Sequence, residues 1–103
     1  MSGPSELVVN VNPPDDFFRR DQDGRRAALA QIADSGIDGL FYADHVSFRG
    51  GTGMECLLLM AGLTQLHATL GAYVGVYLLP LRHPVPVARS LSTIALLAPG
   101  RVV

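Results

Sequence analysis

Lysine is absent from the 103 residues; all eight basic residues are arginines, and nine acidic residues leave a formal charge of −1. With so little positive charge, and none of it clustered, the chain lacks the electrostatic footprint of a nucleic-acid binder or of a protein held on an anionic membrane. Cysteine occurs once, at Cys56. That excludes an internal disulfide and a cysteine-built metal cage, and it fits a reducing, cytoplasmic compartment. The opening MSGPSELVVNVNPPDD has neither the basic stretch nor the apolar core of a leader peptide. No apolar run approaches the ~20 residues of a membrane-spanning helix. What is present, 49% hydrophobic against 17% charged residues, is the makeup of a globular core former, one domain at most.

The hydrophobic residues come in alternating short runs and helical patterns. Glu6–Asn12 is a β-branched run stopped by Pro13 and Pro14, and its unbroken apolar stretch predicts a strand buried on both faces. After the polar DDFFRRDQDG, the segment RRAALAQIADSG places Ala28, Leu29, Ile32 and Ala33 at helical spacing and ends on Gly36, a left-handed stop. Gly39–Ala43 is a second strand, with Asp44 and His45 at its C-terminal end. Thr52 and Glu55 have the spacing of a capping box, which starts a second helix running to His67. Gly62 inside that helix costs roughly 1 kcal/mol against alanine and implies close packing. Leu70–Leu79 predicts a third strand, with Gly71 and Gly75 suited to a bulge. A third helix follows, with Pro84 or Pro86 in its first turn and Leu91, Ile94, Ala95 and Ala98 on one face. Pro99-Gly100 ends it, and Arg101-Val102-Val103 reads as the start of a fourth strand.

Strand starts near residues 6, 39, 70 and 101 repeat every thirty residues or so, the length of a strand, a helix and two loops in a parallel α/β fold. A (β/α)8 barrel and a doubly wound sheet share this rhythm. The first strand is not followed by G-x-G-x-x-G, so the dinucleotide-binding version of the latter lacks its usual support.

Ligands of parallel α/β proteins sit at the C-terminal ends of the strands, which singles out Asn12, the Asp44-His45 pair and the Tyr77–His83 stretch. A rim histidine shuttles protons near neutral pH, and a carboxylate beside it raises its basicity or fixes its tautomer. Neighbours in an extended chain point to opposite sides, however, so a direct Asp44-His45 pair does not follow, and the plainer alternative is that Asp44 caps a turn while His45 packs at the rim. Arg82 is either an anion ligand near a helix N-terminus or a solvated charge, with His83 as an N-cap. His67 suits a helix C-terminus. The three histidines have no metal-ligand spacing. Arg49-Gly50-Gly51-Thr52-Gly53 fails the P-loop pattern and reads as a flexible loop beside the site, and Leu57–Met60 reads as core or subunit interface.

DSGIDGLFYADHV and LGAYVGVYLLPLRHPVPVARSLSTIALLAPGRVV, in that order, resemble the N-terminal portion of the luciferase-like monooxygenase superfamily over Ile32–Val103. The resemblance implies the opening βα units of a TIM barrel, about three of them over residues 1–103, cut at the start of strand four. It implies FMN, reduced flavin or the deazaflavin F420 at the C-terminal face, a small organic substrate, and His45 as the rim histidine, a catalytic base or acid in some members; Asp44 beside it is the second catalytic candidate from the strand-end reading. It places Gly75-Val76 where the family often has a non-prolyl cis peptide against the flavin ring, with Tyr77 and Leu79 as ring or pocket contacts and Asn12 as a further rim candidate. Barrels of this class run to ~250 residues, so the expected partner is the missing barrel half or a second copy, and the alternative function is a noncatalytic half-barrel that dimerises through apolar surface.

Overall fold

A computed structural model describes residues 6–45 and 54–103. Strand β1 is Asn10–Val11, helix α1 Gln22–Asp34, β2 Gly39–Tyr42, α2 Cys56–Leu66, β3 Gly71–Val74 and α3 Pro84–Leu97, with short 3-10 turns at Phe17–Arg19 and Leu79–Leu81. The three strands are parallel in the order β1-β2-β3, with Asn10 opposite Gly39 and Gly39 opposite Gly71. Val102 continues the series by pairing in parallel with Ala72. The fourth strand start is therefore seated beside β3.

Side chains alternate across this sheet as the pleat requires. Leu40, Ala72, Tyr42 and Val74 face the helices and join a core built from Phe17, Ala28, Leu29, Cys56, Met60, Leu63 and Leu70. Phe17, Leu29, Leu40 and Met60 are fully buried, each contributing about 1.5–3 kcal/mol of apolar transfer energy. The opposite face carries small groups and rings: Gly39 and Gly71 side by side, then Phe41 stacked on Tyr73 with centroids 5.7 Å apart. A doubly wound sheet reverses its strand order and carries helices on both faces. Here the order is sequential and α1 and α2 share one face, the arrangement of successive units of a barrel wall.

Several sequence expectations are corrected by the pairing. β1 is two residues long and Leu7 is 80% exposed, so Glu6–Asn12 is not a strand buried on both faces. Its partner β2 begins opposite Asn10, and Val9 is held instead through the Asp38 turn, donating its N–H to the Asp38 carboxylate. β3 stops at Val74 instead of Leu79, because β2 ends opposite it and the Leu78 N–H turns to the Asp44 carboxylate. α1 begins three residues before Arg25, since Asp21 accepts from Gly24 N–H at 2.8 Å and caps it. α2 is capped by Glu55, which accepts from Leu58 N–H; Thr52 lies outside the described residues. Gly62 has nothing within 4 Å of a built Cβ, so close packing does not explain it. On α3, Ile94 and Ala98 are buried as expected, whereas Leu91 and Ala95 are exposed. That helix leans on α2 along a narrow stripe that includes Val87.

Gly36 takes a positive φ of 87° and ends α1 as anticipated, and Gly100, at 69°, does the same after α3. His83 caps α3 by accepting from Val85 N–H, with Pro84 at its first position. His67 Nδ1 accepts from the N–H groups of Thr69 and Leu70 after α2. Arg101 completes that corner by donating to the carbonyls of His67 and Leu70, which fastens the fourth strand start to the loop before β3. Among the described residues no helix is long and apolar enough to cross a membrane.

Candidate functional site

The C-terminal strand ends meet at one rim, where two cavities open. The first, of about 350 Å³, lies between the segments that follow β1 and β2 and is lined by Asn12, Pro13, Phe18, Phe41, Tyr42 and His45 among others. Asn12 and His45 are thus brought together. The His45 N–H donates to Met54 O at 3.1 Å, holding the β2 end against the approach to α2. Burial, reinforced by the charge of Asp15, pushes the Tyr42 phenol up to about 12, so it stays protonated at neutral pH.

Asp44, one residue earlier, turns the other way. Its side chain is fully buried and accepts four hydrogen bonds: from Cys56 N–H at 3.1 Å, Leu78 N–H at 2.9 Å, and both ends of the Arg82 guanidinium at 2.7 and 3.1 Å. Burial alone would raise its carboxyl; the Leu78 N–H, the Arg82 guanidinium and the Cys56 N–H outweigh it and hold the group below its ordinary value. Arg82 also donates to Leu78 O, lies 3.5 Å from the Glu55 carboxylate and covers the Tyr77 ring at 4.4 Å. It is not a solvated charge, because Asp44 and Glu55 engage its guanidinium. Cys56 is buried at the start of α2, its thiol raised to about 11 by burial and by the carboxylates of Asp44 and Glu55.

The third strand end departs from the ladder at Gly75, whose N–H donates to Tyr42 O at 3.0 Å. The Gly75-Val76 peptide is cis, the isomer that the resemblance implies, and Val76 is 74% exposed. Gly75 is packed closely against the first cavity's wall: a Cβ there would lie 2.8 Å from the Phe41 ring and 2.7 Å from that of Tyr73. Tyr77 goes elsewhere. It lines a second cavity, of about 730 Å³, with Arg82, Glu55, His83 and the facing sides of α2 and α3. Of the sequence candidates, then, Asn12 and His45 share a wall, Gly75 abuts it through Phe41, and Asp44 and Tyr77 stand behind it around Arg82. Among the described residues no three His, Cys, Asp or Glu side chains converge as a metal site would require.

The sequence matches the model of a known family. The model of the luciferase-like monooxygenases matches residues 21–103. The chain belongs to that family. Among solved structures it is similar to a type II Baeyer-Villiger monooxygenase, the oxygenating constituent of 3,6-diketocamphane monooxygenase from the CAM plasmid of Pseudomonas putida, solved in complex with FMN. The TM-score is 0.67 at 20% identity, and the match covers 92% of this chain and 27% of that one. This chain thus spans about a quarter of the neighbour's length. Among curated proteins, none matches it significantly.

Within a luciferase-like chain, the rim residues that sequence reasoning missed are Arg82 as the partner of Asp44, Glu55 as the third member of their cluster, and Phe41 with Tyr73 as the inner aromatic wall. A signal for the first was present: residues of opposite charge precede the two histidines His45 and His83, the first just after β2 and the second just before α3. Period-two reading of GLFY and GAYV would also have placed Phe41 and Tyr73 on one face.

Proposed function

We propose that this chain supplies the first wall of a flavin- or F420-dependent oxidoreductase acting on a small organic substrate, with the cofactor ring at the C-terminal ends of β1, β2 and β3. The carrying observation is the convergence of Asn12 and His45 on one cavity backed by the Phe41 ring. The residues present fit the ring portion of such a cofactor: a flat heteroaromatic needs an apolar wall with a few polar groups at its edge, and Phe41, against which Gly75 packs, offers the wall, Asn12 and His45 the edge. When bound, a reduced flavin supplies a hydride, or an electron pair to dioxygen; reduced F420 supplies a hydride. FMN is the first choice because the structural neighbour was solved with it.

His45 is assigned the proton, because an imidazole nitrogen can both take and return one. Asn12 orients, since its amide offers a donor and an acceptor without titrating. Gly75 and Val76 are assigned to the ring face, and Tyr77 contributes from behind through Arg82. Asp44, with its oxygens engaged by four donors, holds instead of exchanging protons. The partner reading is completion of the barrel by a further half or by a second copy. A noncatalytic interaction module is the second reading, favoured by apolar residues such as Leu58, which is 75% exposed on α2.

The deciding experiment titrates the protein with FMN and, separately, with F420, following ring fluorescence beside far-ultraviolet circular dichroism. Saturable binding of one cofactor to folded protein is expected. Folded protein that binds neither would remove the catalytic reading and leave the interaction module.

A further inference from the structure

We propose that the Asp44–Arg82 ion pair positions the ring-binding site, locking the strand end that carries His45 to the strand end that carries Gly75, Val76 and Tyr77. This rests on the function proposed above. Asp44 is joined covalently to His45, and its carboxylate reaches three other segments: the first residue of α2 through Cys56 N–H, the turn after β3 through Leu78 N–H, and the entrance to α3 through Arg82. Arg82 works from the opposite side. Its guanidinium grips both Asp44 oxygens, returns a hydrogen bond to Leu78 O and stacks over Tyr77, so the two residues after Val76 are clamped from both ends.

The pair is well placed to fix geometry and poorly suited to much else. The Asp44 side chain is 0% exposed and that of Arg82 16%, so their charge-assisted bonds act with little water to loosen them. Buried ion pairs return little net stability compared with apolar residues of the same volume, because desolvation offsets the attraction. Their better-supported use is to select one arrangement over its neighbours. Neither residue lines the cavity that holds Asn12 and His45, so both act through others: they are positioning residues. An arginine is required for this, since lysine keeps the charge but has neither the fork that matches two carboxylate oxygens nor the plane that covers a tyrosine ring.

The test uses Arg82→Lys, Asp44→Asn and the double variant, read by the ring signals of isotope-labelled histidine and by FMN titration. Wild-type circular dichroism and unmoved His67 signals certify a folded variant, because His67 lies at the far end of α2. In folded variants the His45 ring signals should shift and FMN affinity should fall by on the order of tenfold, the scale expected when reacting or binding groups are displaced by a fraction of an ångström to an ångström. The double variant should lose no more than the more severe single one, as two halves of one clamp require. Folded variants whose His45 signals and FMN affinity match the wild type overturn the proposal. Loss of circular dichroism in both single variants also overturns it, assigning the pair to stability alone. The histidine signals need no cofactor, so wild-type protein that binds neither FMN nor F420 would sink the flavin reading while this test still stands.

Discussion

Two glycines should respond to the same substitution with opposite signs. Gly39 sits on the inner sheet face between Asn10 and Gly71, where a methyl group would lie 2.5 Å from Asn10 Oδ1, 2.7 Å from Gly71 O and 2.9 Å from Gly71 C. The Asn10 amide can rotate aside, but the Gly71 carbonyl belongs to the neighbouring strand, in the peptide whose Ala72 N–H donates to Arg101 O at 2.7 Å. Gly39→Ala therefore has to part β2 from β3. Overpacking of this kind costs about 1–3 kcal/mol, and weakening a ladder bond adds about 1; the stiffer unfolded chain returns about 0.4–1. The net expectation is a loss of about 1–3 kcal/mol. Gly62, exposed on α2 with no atom within 4 Å of a built Cβ, should gain about 0.8–1 kcal/mol as alanine through helix propensity. Urea titrations followed by circular dichroism read both. With a slope on the order of 1 kcal/mol/M for a chain of this size, the midpoint falls by about 1–3 M for Gly39→Ala and rises by somewhat under 1 M for Gly62→Ala. A neutral Gly39→Ala would refute the strand-approach argument, and a destabilising Gly62→Ala would restore the close packing first read from the sequence.

His45→Ala should lower turnover while leaving cofactor affinity nearly intact, as expected of a group that moves a proton and does not support the ring; unchanged turnover would remove it from the mechanism. Asp44 has its folded carboxyl below the ordinary 3.8, so its contribution to stability is complete above that value and is lost as pH falls through the lowered one. The difference in urea midpoint between wild type and Asp44→Asn should be flat from neutral pH to about 5 and shrink on further acidification; a difference that grew with acid would reverse the assignment. Leu29→Ala, at a fully buried position of α1, should cost about 2–5 kcal/mol by the same titration. Cys56, buried and with its thiol raised to about 11, should react with a thiol reagent at mildly alkaline pH far more slowly than after denaturation; fast labelling of the native protein would show that α2 opens.

The features that sequence made visible are those set by local rules. Strand starts repeat because each βα unit has nearly the same length, Gly36 and Gly100 mark helix ends because only glycine enters positive φ without cost, and Pro84 announces a helix start that His83 then caps. Features set between segments were not visible. Where β3 ends depends on where β2 ends and on what the Leu78 N–H finds, and neither is written into LGAYVGVYLL. The partner of Asp44 lies 38 residues away, so Arg82 read as an anion ligand or a solvated charge until the rim was assembled. Gly62 shows the converse error: a propensity cost in the sequence suggested a packing reason that the structure does not contain.

The same rim explains why two adjacent residues with proton-bearing side chains take different parts. Along the extended Phe41–His45 segment, Asp44 turns towards α2 and Arg82, while Phe41 and His45 meet on the first cavity. A general base needs a free lone pair and a pKa near the working pH. Asp44 meets neither condition: four donors occupy its oxygens, and its carboxyl is held lower than a free one, which makes it a weaker base. Taking a proton would mean surrendering the Arg82 fork in a site with little water to replace it, where an unpaired buried charge costs several kcal/mol. His45 lies on the first cavity, at the other face of the segment. The acid that looked like its chemical partner in the sequence is better understood as the anchor of its strand end, one peptide away and on the other side of the wall.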